Sequence, residues 1–476
     1  MKKYKLSLYI FTRDLRINDN TALISCIKNS EKILPIFIFT PSQITNNTFI
    51  SPDKNEFQNH IQFMIESLID LDKTLHNKYD SQLNFFYAEY IDILKDIITH
   101  HKINSIYMTF DYTPYSRNRT QILYDFTKQH SIDLNIFEDY LLHPVESIKN
   151  SSNTIYTKFT PYYDQCLGLK KKLTKPNSTL PNKKTFITTN IKKLITIIDN
   201  TNNFTLSTIT SPNKIIIFNK NPHIWVHGGR THALTTLKKA INDIIGQTEH
   251  PLHTSTNLSA YLKFGCLSIR ETYNCTNDIK FHRQLYWRDF YYNILYTYPQ
   301  VLHGPLKIIY KNIQWDNNRP LFEKWKTGTT GFPIIDAGMR SLNTTGFMHN
   351  RARLFTSNFL IKILLIDWRW GELYFASKLC DYDPAINNGN WQWSSGSGAD
   401  SQPYFRVFNP TIQSKKYDPN TEYIKKWIPE LQNVPSRHIH HWHKYHSLYP
   451  NIYHPPCVDY HQRKRHAIDT YKKIFT

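Results

Sequence analysis

The sequence predicts an α/β domain built on a parallel, Rossmann-like sheet, followed by a mostly α-helical domain. Three observations lead there. Apolar runs alternate with amphipathic helical periods over residues 1–140. Residues 141–220 are rich in Ser, Thr, Asn and Lys with few clear periods, which suits a connector. From 221 to 476 helical signals dominate.

The apolar runs at 6–12, 33–39, 83–88, 105–110 and 134–137 read as strands. Between them Phe57, Ile61, Met64, Ile65, Leu68, Leu71 and Leu75 recur at helical spacing, and "YIDILKDII" repeats the pattern from Tyr90. Such alternation implies right-handed crossovers and a sheet covered by helices. The turn after the first strand, "TRDLRINDNTAL", holds no glycine, so the phosphate-cradling G-x-G-x-x-G is missing and no dinucleotide is expected there. In the second half, Pro333 and Gly346 bracket "IIDAGMRSLNTT" as a helix. Leu354, Phe359, Leu360, Ile363 and Leu364 mark another. No internal repeat is visible.

A hydrophobic content of 40% and an aromatic content of 14% belong to a packed protein and exclude a disordered one. No apolar run reaches the ~20 residues of a membrane span. Charge returns at Arg13 and Asp14, so the N-terminus reads as a strand and not as a signal peptide. Six cysteines without a C-x-x-C pair suggest reduced thiols and a cytoplasmic or nuclear setting. Lys and Arg number 58 against 38 for Asp and Glu, a net charge of +20, which makes a polyanion such as nucleic acid a natural partner.

One stretch is unusual. "NNGNWQWSSGSGAD", 387–400, holds three of the chain's 14 glycines and two of its 10 tryptophans. It follows a helix, a turn at Gly371, a second helix and then Asp381 and Asp383, so it reads as a glycine–tryptophan loop. Taken singly, the carboxylates would cap helices and the tryptophans would fill the core. Together they suit a flat aromatic ligand approached closely by backbone.

At this point the chain resembles the photolyase/cryptochrome flavoproteins, most closely the class I enzymes for cyclobutane pyrimidine dimers. The matching stretches are "FTRDLRINDNTAL", "YTKFTPYY", "TNLSAYLKFGCLS" and "QLYWRDFYYNIL", then "KWKTGTTGFPIIDAGMRSLNTTGFMHNRARL" and "DYDPAINNGNWQWSSGSGADSQPYFRVFNP". The resemblance implies FAD, reduced and non-covalent, in the helical domain. Ser255, Thr256, Asn257, Leu258 and Ser259 would hold its pyrophosphate through hydroxyls and amides near a helix start. Asp381, paired to Arg353, and Asp383 would lie against the flavin, and Asn387 would face its N5. Trp391, Trp368 and Trp315 would form an electron-transfer row. Trp393 and Trp287 would sandwich a flipped pyrimidine dimer, a step that base-processing enzymes share. Gln284 would bond the dimer's edge, with Tyr291, Asn350 and Leu354 around it and Arg288 and Arg351 on DNA phosphates. Catalysis would rest on Asn387, Gln284 and Trp393.

The implied function is light-driven repair of UV-damaged DNA by electron transfer from photoexcited reduced FAD, with the protein a monomer and no membrane partner. The alternatives are a cryptochrome-type blue-light receptor without repair and a 6-4 photoproduct enzyme. The latter would carry His at Asn350 and Leu354, and neither is present. Three departures stand out. Gln284 replaces a Glu and cannot supply a proton. Leu354 replaces a Met at similar volume. The Tyr and Arg expected before the phosphate segment are not visible in "AINDIIGQTEHPLHTS". A second, antenna chromophore is possible in this family, but no residue identifies one here. The His-rich "RHIHHWHKYH" has zinc-like spacing without a second ligand cluster, so no metal is expected.

Overall fold

The computed structural model describes residues 2–41, 58–169, 173, 175–182, 185–189, 196–199, 205–207, 215–244, 252 and 255–475. Phe57 and most of the segment before Ser255 lie outside them.

Five strands form the first sheet: β1 (Tyr4–Phe11), β2 (Ser30–Phe39), β3 (Asn84–Tyr87), β4 (Ser105–Thr109) and β5 (Asp133–Phe137). All pairings are parallel, in the order β3-β2-β1-β4-β5. Helices α1 (Thr21–Asn29), α2 (Asn59–Tyr79), α3 (Tyr90–His100) and α4 (Pro114–Gln129) make the crossovers. Side chains alternate across the sheet with period two. Leu8 and Ile10 join one core with Ile93, Leu94 and Ile97 of α3. Tyr9 and Phe11 join a second core that continues through Phe63 and Leu68 of α2 into the helical domain. The five strands and α2–α3 agree with the sequence reading.

The stretch read as a connector holds α5 (Phe159–Gly168) and three short strands, β6 (Thr196–Asp199), β7 (Thr205–Ser207) and β8 (Ile215–Phe218). The helical domain follows with α6 (Arg230–Ile244), α7 (Ser259–Lys263), α8 (Ile269–Asn274), α9 (Ile279–Thr297), α10 (Arg319–Thr327) and α11 (Pro333–Thr345). Then come α12 (Asn350–Lys362), α13 (Trp368–Lys378), α14 (Pro384–Ser395), α15 (Pro410–Tyr417) and α16 (Glu422–Trp427). Two short helices, α17 (Ser436–His440) and α18 (Trp442–Tyr445), precede the last, α19 (Tyr460–Lys472).

Two expectations need correction. Gly371 is not a turn, because it lies inside α13, and Asn387–Ser395 is not a loop but most of α14. Asp383 caps α14 by accepting from the amides of Ala385 and Ile386, Pro384 occupies the first turn, and Gly396 closes the helix. These glycines serve close packing. A β-carbon on Gly389 would fall 2.2 Å from the Tyr291 ring, and one on Gly371 would fall 2.1 Å from the Trp391 indole.

In an open sheet of this order, ligands bind where the strand order reverses, outside the carboxyl ends of β1 and β4. Here that crevice holds the chain's own polar groups. Asp14 accepts from Tyr9, Thr109 and the Thr12 amide. The glycine-free turn after β1 docks the helical domain instead. Leu15 N donates to Phe264 O at 3.0 Å and Arg16 to Gly265 O at 3.0 Å. Arg270 pairs with both Asp19 and Asp139. None of the six cysteines is paired. Among the described residues no helix is long and apolar enough to cross a membrane.

The dock predicts a stability effect. Gly265 has φ +66° and a β-carbon there would lie 2.1 Å from the Arg13 carbonyl oxygen. Gly265→Ala should therefore lower unfolding free energy by about 2–4 kcal/mol in urea titration. Gly168→Ala, which meets nothing within 4 Å, should cost nothing and gain up to about 1 kcal/mol.

Candidate functional site

A cavity of about 470 Å³ opens between α7, α9, α12, α13 and α14. Seventeen of the residues expected to bind cofactor or DNA line it, together with Trp391. They are Ser255, Thr256, Asn257, Leu258, Ser259, Arg353, Asp381, Asp383 and Asn387, then Gln284, Trp287, Arg288, Tyr291, Asn350, Arg351, Leu354 and Trp393.

One end is a polar cradle. Residues 255–258 lead into α7, and Asn257 takes the left-handed conformation with φ +55°. Its side-chain oxygen accepts from the Trp225 indole at 2.9 Å. Trp225 stacks on Phe347 with ring centres 5.4 Å apart. The hydroxyls of Ser255, Thr256 and Ser259 on the cavity wall suit an anion.

The floor carries charge. Arg353 donates to both oxygens of Asp381, at 3.1 and 3.0 Å, and to Met348 O at 2.8 Å. Asp383 accepts from Arg13 at 2.9 Å and from the Tyr292 hydroxyl, with Lys263 3.9 Å away. Burial works against the Asp383 charge, but Lys263, Arg13 and Tyr292 overrule it and hold the carboxyl down at about 2. Lys263 is pushed down to about 8, first by burial and then by Arg13.

Asn387 sits deeper in α14, 8% exposed. Its amide nitrogen donates to the Glu372 backbone oxygen at 3.0 Å and to Glu372 Oε1 at 3.1 Å. The amide oxygen is thereby left for the cavity. Burial raises the Glu372 carboxyl to about 7, against a smaller opposing effect of the Asn387 hydrogen bond.

The other end is aromatic and more open. Gln284, Trp287 and Tyr291 occupy one face of α9 at i, i+3 and i+7. Gln284 is exposed and Trp287 half-buried. Trp393 is half-buried on α14, and Asn350 and Arg351 are exposed at the start of α12, with Leu354 one turn on. Ser394 and Ser357 bond at 2.9 Å and tie α14 to α12.

Other candidates lie deeper or away from the cavity wall. Arg288 is turned inward at 8% exposure, donating to Tyr140 O at 2.6 Å and lying over the Tyr292 ring. Arg351, by contrast, is exposed on the cavity wall. Trp368 and Trp315 do not line the cavity. Trp368 is buried at the start of α13, and Trp315 packs edge-on to Tyr471 with ring centres 6.1 Å apart. Trp391 meets Phe375 at 5.0 Å and Trp325 at 6.1 Å. The histidines read as zinc-like are engaged otherwise, His438 with Tyr449 and His440 with Ser414 and Pro419 O. Sequence reading missed Arg13, Trp225, Lys263 and Glu372. The first signal was the basic turn that lacked glycine; for the others the sequence offers only a residue type.

Residues 7–181 match the DNA photolyase family model, and residues 281–473 match the FAD binding domain of DNA photolyase. The deoxyribodipyrimidine photo-lyase of Buchnera aphidicola is 34% identical over 98% of this chain and 97% of that one. Among solved structures, the archaeal photolyase of Sulfolobus tokodaii, which holds two FAD molecules, is 35% identical. It superposes with a TM-score of 0.82 over 98% of this chain and 100% of its own. A cryptochrome of Synechocystis is 25% identical, with a TM-score of 0.83 over 99% and 100%. The cavity's contents fit FAD: hydroxyls and a left-handed turn for phosphates, an arginine–carboxylate pair and a buried amide for a polar ring edge. The chain belongs to the photolyase/cryptochrome family and carries its FAD-binding domain in the helical half.

Proposed function

We propose that this protein is a light-driven lyase that splits cyclobutane pyrimidine dimers in UV-damaged DNA. The observation that carries the reading is the two-ended cavity. The residues expected around FAD and those expected around a flipped dimer wall one continuous space, so a dimer held between Trp287 and Trp393 would lie next to Asn387. Reduced FAD, when bound, supplies blue-light-driven one-electron reduction of the dimer, opening of its cyclobutane ring and recovery of the electron.

The protein's own part is to hold and exclude. Stacking on Trp287 and Trp393, worth ~1–3 kcal/mol per base, offsets the few kcal/mol of extruding a poorly stacked lesion. Gln284 offers a donor and an acceptor to pyrimidine edges. Glu372 fixes the Asn387 amide so that its oxygen, an acceptor, faces the cavity; that suits a protonated N5 as in the reduced flavin. Trp391 is the cavity-lining donor for photoreduction, with Trp368 and Trp315 continuing outward. A second reading, a photoreceptor without repair, draws support from the likeness to the Synechocystis cryptochrome.

Three outcomes are expected. Irradiated oligothymidine incubated with the protein, reductant and blue light should lose its dimers, as read by chromatography. Persistence of dimers with the flavin fully reduced would leave the photoreceptor reading. Trp391→Phe should abolish photoreduction, followed by absorbance, while chemically reduced enzyme still repairs; loss of repair in that state would remove Trp391 from the donor role. The third concerns Glu372, whose carboxyl stands at about 7 in the folded chain against an ordinary 4.5. Between those values the folded form holds a proton that the unfolded form has lost, so its contribution to stability falls as pH rises through that window. Glu372→Gln should thus match the parent at pH 4.5 and exceed it at pH 8 in denaturation of the apoprotein. Parallel curves would mean that Glu372 titrates normally.

A further inference from the structure

We propose that Arg283 is a DNA-phosphate contact at the cavity mouth, held in place by Phe159 and Tyr163. The assignment rests on the damaged-DNA reading above and supplies the basic contact that Arg288, turned inward, does not provide. Phe159 of α5 stacks face to face on Trp287, with ring centres 3.7 Å apart and planes 7° from parallel. Trp287 lines the cavity and Phe159 does not, so Phe159 covers the indole face turned away from it. Arg283 lies one helical turn before Trp287 on α9, and its guanidinium carbon is 5.3 Å from the ring centres of both Phe159 and Tyr163.

The side chain is exposed, and no ion pair engages it among the described residues. A planar guanidinium laid on aromatic rings keeps its N–H edge free for a bidentate oxyanion, and stacking reduces the freedom lost on binding. Exposed Lys158, next to Phe159, adds positive charge beside it. Arg283 immediately precedes Gln284, which lines the cavity, so a strand delivering a base to Trp287 would run its flanking backbone over this exposed first half of α9.

The test measures affinity of the holoprotein against salt, for a duplex carrying one thymine dimer and for its undamaged twin. Arg283→Gln should weaken both by a similar factor and reduce the slope of log K against log salt by about 0.9, the loss of one phosphate contact. Arg283→Lys, which keeps the charge, should restore the slope. An unchanged slope in Arg283→Gln would overturn the assignment even with repair intact. If the parent protein fails to prefer the damaged duplex, the repair reading fails instead, and the slope on undamaged DNA still decides the role of Arg283.

Discussion

A single buried carboxylate joins the two halves of this protein to the site between them. Asp383 starts α14 by capping its first amides, and α14 carries Asn387, Trp391 and Trp393. The same carboxylate accepts from Arg13, which leaves β1 on the far side of the domain boundary and also pairs with Asp111. Breaking a buried pair by removing one partner typically costs 3–5 kcal/mol, because the other charge stays buried. The α/β domain therefore contributes to the site without lining it. With Lys263 of the helical domain, its Arg13 lets a carboxylate remain ionised at the floor of the cavity.

With α14 anchored at one end, its distance from the neighbouring helices is set by what it lacks. Gly389 admits the Tyr291 ring of α9, and Gly371 of α13 admits the Trp391 indole. Any side chain at either position would push two helices apart and change the width of the cavity between them. The clustering of glycine with tryptophan is thus a packing solution in which large rings fill hollows left by the smallest residue. The loop expected from composition would have placed the tryptophans much less firmly.

What could be read from sequence follows a physical divide. The five strands were legible because buried parallel strands are short, near-continuous apolar runs. Gln284, Trp287 and Tyr291 were legible as a face because helical spacing puts them together. α14 was misread because Asn, Gly, Ser and Trp are indifferent helix formers, although its boundary signals, Asp383, Pro384 and Gly396, were in plain view. Arg13 meeting Asp383, or Trp225 meeting Asn257, depends on tertiary approach across long separations, which no local pattern encodes. Arg288 shows the same limit: its motif gives no sign that its guanidinium donates to Tyr140 O, 148 residues away in sequence.

Asn387 and Glu372 show how the cavity manages charge. An amide can serve a flavin edge without bringing charge of its own, but it must be oriented, and a carboxylate does that well at the price of a buried negative group. The protein resolves this by burying Glu372 so deeply that its carboxyl stands at about 7. An anion placed beside Asn387 would push it higher still, since like charges in a low-dielectric site disfavour each other's ionised form. Glu372 would then hold its proton and the site would carry one negative charge there instead of two. Asp383 takes the opposite course, fixed at about 2 by Lys263 and Arg13. Two carboxylates, Asp383 on the wall and Glu372 behind Asn387, thus divide the work: one charged and structural, the other able to yield its charge to an anion beside Asn387.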